Sequence, residues 1–470
     1  MAATPKKKKK KETSQQLSKR LFSKKQNGWD GIKEKDRKAI FDFADGYKKF
    51  LDNSKTEREA IKSISKLSKD QGFIPINKAT KKSKKLYLEY DSVAGALVVI
   101  NDINSFEQGF TMNGAHIDSP RLDLKQVPLY EAEDMAFMKT HYYGGIKKYQ
   151  WVTRPLALHG VVVFEDGSKK EIVYGESPDD PVFMINDLLP HLAKNQNKKT
   201  APNIIEGEQL NILVGSIPYS FKSEKDAIKL AILEKLNNDY GIKEEDFVSA
   251  ELQVVPSGAS RDVGFDRSFV GGYGQDDRIC AYCGMKAIFE DLPKSSKKNL
   301  IMVFFDKEEI GSMGNSGAHS NLMERIVNDV LQHYGKGDYQ TLIQSLANSR
   351  FMSSDVNAGI DPEWREVNES MNAAKIGSGV CLTKFTGTRG KSGSNEAHAE
   401  FVAAIRKAFN KEGVRWQSAE LGKVDQGGGG TIAFHLAKFG MDVIDCGTAL
   451  LSMHSPFEFA SKVDFFHTLE

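Results

Sequence analysis

Residues 300–312, Leu300-Ile-Met-Val-Phe-Phe-Asp-Lys-Glu-Glu-Ile-Gly-Ser312, decide the fold of this chain. The apolar run at 300–305 is typical of a strand that is buried on both faces. Asp306, Glu308 and Glu309 follow directly, so we expect them at the carboxyl end of the strand, where open α/β sheets build their sites. Two adjacent glutamates there allow one to hold a cation and the other to move a proton. The alternative is a solvated acidic turn, since acidic residues are mostly exposed.

Length and composition limit the classes of protein to which this chain can belong. A chain of 470 residues with 40% hydrophobic and 27% charged residues is expected to be a soluble globular protein of two or more domains. Its 65 basic and 63 acidic residues argue against nucleic acid as a partner, which would require a basic excess. No apolar run approaches the roughly 20 residues of a membrane span, so no membrane partner is expected. Four cysteines cannot form a disulfide framework, and no signal peptide is visible, so we expect a cytoplasmic protein.

The charge pattern and the helical and strand patterns divide the chain into three predicted parts. Residues 1–30, with six consecutive lysines at 6–11, are expected to be a disordered tail. Residues 31–125 and 265–470 alternate helical and strand patterns, which predicts an α/β domain of three layers, doubly wound around a mixed, mostly parallel sheet. Residues 126–264 contain short β-like pieces and are expected to form an inserted β-rich domain, although residues 182–193 have a helical pattern at their ends.

Several polar residues stand where strands end or helices begin. His116 and Asp118 form an H-x-D in which the aspartate can steady a metal-binding imidazole, although an ordinary hydrogen-bonded histidine has the same pattern. Asp276 precedes a predicted helix, where capping is the alternative explanation. The turn that contains Gly429 and Gly430 lacks the Gly-Lys-Ser/Thr of a triphosphate-binding loop, and it is either a substrate-lining turn or a plain tight turn.

These histidines and carboxylates indicate a metal site more strongly as a group than any one of them does alone. Histidines and carboxylates recur at the same kind of position on five separate elements: His116, Asp118, Asp276, Glu308, Glu309, Asp355 and His454. Mixed nitrogen and oxygen ligands suit Zn²⁺ or Mn²⁺ and not a soft thiolate site. Two divalent cations about 3.5–4 Å apart need one bridging carboxylate and further ligands on each side, and this set supplies them with one glutamate to spare.

These residues carry a resemblance to a known family. The chain resembles the M18 metalloaminopeptidases over roughly residues 30–470, and most of all their bacterial aminopeptidase I branch. The matching segments are Ala115-His116-Ile-Asp118-Ser-Pro-Arg, Gln275-Asp276-Asp277-Arg, Asp306-Lys-Glu308-Glu309-Ile-Gly-Ser, Ser353-Ser-Asp355-Val and Ser452-Met-His454-Ser.

The resemblance implies a role for each residue at the centre. It implies that Asp276 bridges two divalent cations, most readily Zn²⁺ with Co²⁺ or Mn²⁺ as alternatives. One cation would also be held by His116 and Asp355, and the other by Glu309 and His454. It further implies that Glu308 is the general base and that Asp118 orients His116.

The resemblance also implies substrates and partners. Peptides with a free N-terminus are the expected substrates, and the chain is expected to assemble through its inserted domain into dimers and then a dodecamer. His191 matches a histidine that reaches the active site of a neighbouring copy. Lys384 falls near a lysine that meets acidic substrate side chains, but the segment after it differs from the aspartyl enzymes of the family. The alternatives are an M42-type glutamyl aminopeptidase, a related dizinc carboxypeptidase or deacylase, and a non-catalytic assembly protein.

Overall fold

The computed structural model describes residues 12–23, 27–220, 225–290 and 298–470. The lysine run at 6–11 lies outside these residues. The prediction that residues 1–30 are disordered is wrong for residues 14–21, because a capping box between Thr13 and Gln16 starts a helix there. The helices are α1 Ser14–Leu21, α2 Glu34–Asp52, α3 Glu57–Asp70, α4 Ala227–Tyr240, α5 Gln275–Phe289, α6 Leu322–His333, α7 Tyr339–Ala347, α8 Ala399–Glu412, α9 Ile432–Leu436 and α10 Lys462–Leu469. No helix in these ranges combines the length and apolar character that crossing a bilayer requires.

The strands form three sheets. They are β1 Ile74–Pro75, β2 Lys85–Tyr90, β3 Ala94–Val99, β4 Thr111–His116, β5 Arg121–Ala132, β6 Met135–Tyr143, β7 Leu156–Val163, β8 Lys169–Tyr174, β9 Ile212–Gly215, β10 Ala250–Pro256, β11 Arg261–Val263, β12 Phe269–Gly272, β13 Leu300–Phe305, β14 Arg350–Ser353, β15 Asn357–Ala358, β16 Val380–Thr383, β17 Trp416–Ser418, β18 Asp442–Gly447, β19 Ala449–Leu451 and β20 Glu458–Ser461.

The largest sheet has the strand order β1-β2-β3-β13-β4-β14-β18-β16-β17. Its central neighbours β13, β4, β14 and β18 are mutually parallel, whereas β3 and β16 pair with this group in the antiparallel sense. The prediction of a mixed, mostly parallel sheet is confirmed. Because the central strands are parallel, their carboxyl ends lie at one edge of the sheet.

The strand β13 shows why the sheet has helices on both faces. Its side chains alternate in direction, as strand geometry requires. Ile301, Val303 and Phe305 pack into one core with residues of α6, whereas Met302 and Phe304 pack into a second core with residues of α2, α3 and α5. The predicted three-layer α/β architecture is therefore confirmed.

The second sheet has the order β8-β7-β10-β5-β6-β9, so all of its strands lie between residues 121 and 256. It has a hydrophobic core of its own that includes Trp151 and Leu210. The boundaries 126 and 264 stay a prediction. The helical ends predicted for residues 182–193 are wrong. Phe183 pairs with Leu156 and Met184 with Leu213 in isolated bridges, and residues 190–195 form turns.

A third sheet, β11-β12-β20-β19-β15, is not anticipated by the sequence. It joins residues 261–272 to residues 449–461 through the antiparallel pairing of β12 with β20. This pairing places the start of α5 beside the turn that contains His454. The described cysteines are all buried and free, and Cys280 and Cys283 lie on α5 and pack into the core that also contains Met302 and Phe304.

Candidate metal centre

The centre lies at the carboxyl edge of the largest sheet. The strand β4 ends at His116, which pairs in register with Phe305 at the end of the parallel strand β13. Glu308 and Glu309 follow β13 in a short 3-10 turn. Asp355 follows β14, the parallel neighbour of β4 on its other side. Three adjacent strands therefore deliver their ligating residues to the same edge.

Asp276 lies between two histidines. Its Oδ1 is 3.2 Å from Nε2 of His116, and its Oδ2 is 3.1 Å from Nε2 of His454. It enters this position from the first turn of α5, which follows Gly274 at φ 75°. This φ lies in the left-handed region that favours glycine, and a Cβ at Gly274 would also displace the guanidinium of Arg278, which would lie 1.9 Å away.

On the His454 side of the centre, two carboxylate oxygens face one imidazole nitrogen, which can donate at most one hydrogen bond. Nε2 of His454 faces Asp276 and also Oε1 of Glu309, at 3.3 Å. Nδ1 of His454 is already engaged as a donor to the carbonyl oxygen of Gly145. Within the part of the chain that the structure describes, Oε1 of Glu309 is buried and has no hydrogen-bond partner. A cation between these three atoms would satisfy all of them.

The His116 side of the centre is also a cluster of potential metal ligands. One ligand atom from each of His116, Asp277 and Asp355 lies within 4.8 Å of the other two. Burial raises the pKa of Asp355 well above its usual range. Burial, and then the charge of Asp276, does the same to the pKa of Glu309. So many carboxylates in a buried cluster are unfavourable without compensating positive charge, which divalent cations would supply. The nitrogen and oxygen donors fit Zn²⁺ or Mn²⁺.

Asp118 fixes the orientation of His116. Nδ1 of His116 lies 3.3 Å from Oδ1 of Asp118 and 3.1 Å from its carbonyl oxygen, so it donates to Asp118, and Nε2 is the nitrogen that faces Asp276 and is available to a cation. The same carboxylate accepts hydrogen bonds from the backbone N–H groups of Glu308 and Glu309, at 3.1 and 3.2 Å. Tyr143 donates its hydroxyl to Asp118 at 2.8 Å. Asp118 therefore holds one histidine and both glutamates in place.

Glu308 stands at the centre but is less closely engaged than Glu309. Its Oε2 is 4.0 Å from Nε2 of His116. Burial raises the pKa of Glu308 to about 7, despite the opposing effect of His116. A carboxylate whose pKa lies near the operating pH is suited to accept and return a proton.

A cleft of about 290 Å³ opens onto the centre. Glu308, Glu309 and His454 form part of its wall, and Gly430, Thr431 and Phe434 form another part. Gly429 does not line the cleft; its carbonyl oxygen accepts a hydrogen bond from the N–H of Gly387. The glycine turn thus borders the cleft through Gly430 only.

Two predicted site residues lie elsewhere. Of the residues that line the cleft or belong to the ligand clusters in the described ranges, none is His191 or Lys384. His191 is exposed, in a turn between the exposed side chains of Leu189 and Leu192. Lys384 is half-exposed and lies 3.8 Å from Glu396.

The sequence reasoning missed three residues at the centre. Tyr143, on β6, bonds to Asp118 from the second sheet, and no local pattern signals it. Asp277 is buried next to Asp276, where the adjacent aspartates were a usable signal. Glu458 is buried beside the backbone of Asp276 and His454, and the only signal was a carboxylate four positions after His454.

Comparison with known proteins gives a consistent result. The family model described as "Aminopeptidase I zinc metalloprotease (M18)" matches residues 50–470. The chain is 49% identical over 454 residues to "Probable M18 family aminopeptidase 1" of Clostridium acetobutylicum, covering 95% of this chain and 97% of that protein.

Solved structures have the same fold. A crystal structure of an M18 family aminopeptidase from Thermotoga maritima superimposes with a TM-score of 0.91 at 45% identity, covering 95% of this chain and 98% of that one. The S. cerevisiae mApe1 structure, described as a dodecamer, has a TM-score of 0.72 at 21% identity and covers 91% of this chain and 94% of that one. At that identity only the fold is compared.

Proposed function

The chain belongs to the M18 family of zinc metalloproteases and is an aminopeptidase; from that premise we propose that it removes single N-terminal residues from peptides by means of two divalent cations held around Asp276. The observation that carries this proposal is the placement of the two Asp276 oxygens against two different histidines, at 3.2 and 3.1 Å. A carboxylate shared in this way is what a two-cation centre requires.

We assign one cation to the His116 side of the centre and one to the His454 side. His116 and Asp355 would hold one, Glu309 and His454 the other, and Asp276 both. Zn²⁺ is the first choice and Co²⁺ or Mn²⁺ the alternatives, since all accept imidazole and carboxylate ligands. When bound, the cations would polarise the scissile carbonyl and lower the pKa of an attacking water.

The chain's own residues would move the proton and orient the groups. Glu308 would take the proton from the attacking water and deliver it to the leaving amine, because it lines the cleft without being engaged by a histidine as closely as Glu309 is. Asp118 would keep Nε2 of His116 free by accepting the hydrogen of Nδ1. His191 of a second copy would donate to the oxyanion that develops on the substrate.

That role for His191 requires self-association. The exposed leucines 188, 189 and 192 beside it form an apolar patch, which supports burial against another copy. We propose that residues 126–264 form the dimerisation domain and that dimers assemble to a dodecamer, the form described for the yeast relative. The buried, free cysteines support a reducing, cytoplasmic location.

A preference for acidic N-terminal residues is a separate question about the same site. It would need Lys384 to meet the substrate side chain, with Gly430 as part of the adjoining wall. Lys384 lies 3.8 Å from Glu396, so an acidic side chain would compete with Glu396 for it. A panel of aminoacyl-anilides, assayed on wild type and Lys384→Ala, measures this directly. A lysine-dependent advantage of Asp and Glu substrates supports the preference, and equal profiles of the two proteins contradict it.

The experiment that tests the proposed function compares free and N-acetylated aminoacyl-anilides with protein reconstituted with Zn²⁺, Co²⁺ or Mn²⁺. An aminopeptidase requires the free amine, so we expect hydrolysis of the free substrates only. Cleavage of N-blocked peptides with a free carboxyl terminus would instead identify the carboxypeptidase or deacylase alternative. The absence of any hydrolysis in cation-loaded protein would support the non-catalytic alternative.

A further inference from the structure

We propose that Glu458 is a positioning residue that holds Asp276 and His454 together and thereby sets the affinity of the centre for the cation assigned to Asp276, Glu309 and His454. This inference rests on the two-cation centre proposed above. Glu458 is 1% exposed and is the first residue of β20. Glu458 acts only through these two residues and does not itself contact the substrate or a cation in this proposal.

The carboxylate of Glu458 accepts hydrogen bonds from two separate parts of the chain. Its Oε2 accepts from the backbone N–H groups of Gln275 and Asp276, at 2.6 and 3.2 Å. Its Oε1 accepts from the backbone N–H of His454, at 2.7 Å. The start of α5 and the turn of residues 452–455 are therefore joined by one side chain, and each contributes a ligand to the centre.

The side chain of Gln275 completes this link. Its Nε2 donates to the carbonyl oxygen of Glu458 at 2.6 Å and to that of Val270 at 3.1 Å. Val270 belongs to β12, which pairs with β20. The position of Glu458 relative to α5 is thus fixed by the sheet, so its carboxylate is a rigid reference point for both ligands.

The backbone of His454 needs such support. Its φ is 63°, in the left-handed region that residues other than glycine rarely adopt. Strained conformations of this kind persist only where surrounding contacts determine them. For His454 those contacts are the N–H bond to Glu458 and the bond from Nδ1 to Gly145, which leave Nε2 facing Asp276 and Glu309.

The other side of the centre does not depend on Glu458 in this way. His116 is held by the register of β4 against β13 and by its bonds to Asp118. Asp276 has a second anchor, because the Ser119 hydroxyl donates to its carbonyl oxygen at 2.8 Å. Loss of the Glu458 carboxylate should therefore weaken one cation site much more than the other.

The test uses Glu458→Gln with Asp464→Asn as its matched control. A glutamine keeps the size of the side chain but replaces one acceptor oxygen with an amide N–H₂, which cannot accept from the backbone. Asp464 is also fully buried and accepts two backbone N–H bonds, from Gly377 and Gly379 at 2.6 and 2.7 Å. Asp464 belongs to none of the three groups of potential ligands among the described residues, so Asp464→Asn reports the cost of losing a buried carboxylate alone.

The readout is zinc affinity, measured by titrating EDTA-stripped protein against a fluorescent chelator, together with the Tm of the stripped protein. We expect wild type to bind two equivalents of zinc, and Asp464→Asn to bind each equivalent as tightly as wild type does. In Glu458→Gln one equivalent should keep its affinity and the other should weaken by about 10–100-fold, as for other residues that orient metal ligands.

Three other results would contradict either the role of Glu458 or the proposed centre. Unchanged affinity of both equivalents in Glu458→Gln, with a Tm loss like that of Asp464→Asn, would overturn the inference and leave a purely structural role. Equal weakening of both equivalents would overturn it as well. Failure of wild type to bind two equivalents would instead refute the proposed centre. If Glu458→Gln does not fold, Glu458→Asp keeps the charge but shortens its reach, and the same selective weakening is expected.

Discussion

Replacing Glu308 with glutamine tests the division of labour between the two adjacent glutamates. The change keeps the size of the side chain and removes its capacity to accept a proton. Glu308 lines the cleft and its Oε2 is 4.0 Å from Nε2 of His116, whereas Oε1 of Glu309 is 3.3 Å from Nε2 of His454. Loss of a general base costs about 10²–10⁴-fold in rate. This corresponds to about 2.7–5.4 kcal/mol of activation free energy.

The assay is kcat on an aminoacyl-anilide, combined with elemental analysis of the same preparation. Glu308→Gln should keep the wild-type cation content and lose turnover by the factor given above. Glu309→Gln is the matched control, since the same amide one position later should lose cation content as well as turnover. Wild-type turnover in a fully loaded Glu308→Gln protein would refute the assignment of the base. Loss of cations from Glu308→Gln would show that the two glutamates have been assigned in the wrong order.

Three further predictions follow from other contacts. Asp118→Asn should lower zinc affinity by about 10–100-fold in a chelator competition, because His116 loses the carboxylate that orients it; unchanged affinity would contradict that role. His159 bonds to Glu59 and Glu176 at 2.7 and 3.0 Å; burial lowers its pKa, but these bonds raise it above the usual value on balance. The charged form of His159 therefore contributes its full stabilisation below about pH 6.5, and this contribution is lost as the pH rises through the pKa that His159 has in the folded state. In urea unfolding at about pH 5–6, where His159 is charged and its glutamate partners are ionised, His159→Gln should lower the free energy of unfolding by about 1.5–3 kcal/mol. This difference from wild type should shrink at alkaline pH; a constant difference would contradict the charge argument. Leu192→Asp should dissociate the assembly in sedimentation velocity and reduce turnover with it, whereas an active monomer would contradict a role for His191 in a neighbouring site.

The parts of the fold that depend on local pattern could be predicted from the sequence. The apolar run at 300–305 indicated a strand covered on both faces, and its side chains do alternate between two cores. Because consecutive parallel strands end at one edge, the residues after them could be expected to meet. His116, Glu308, Glu309 and Asp355 do so. Their chemical roles stay predictions.

The parts that depend on distant pairing could not be predicted. Glu458 reaches Asp276 only because β20 pairs with β12, about which the sequence between them says nothing. Tyr143 reaches Asp118 from a different sheet. Residues 182–193 have a helical pattern at their ends, but bridges to Leu156 and Leu213 outweigh that local preference.

The most direct test of the account is the number of cations that the chain holds. After reconstitution and desalting, elemental analysis of wild type should find about two divalent ions per chain, and Asp276→Asn should hold at most one. The carboxylate of Asp276 meets both histidines, so this single substitution should disturb both sites. Wild-type protein with no bound divalent ion, or an Asp276→Asn protein that keeps the full wild-type content, would contradict the central claim.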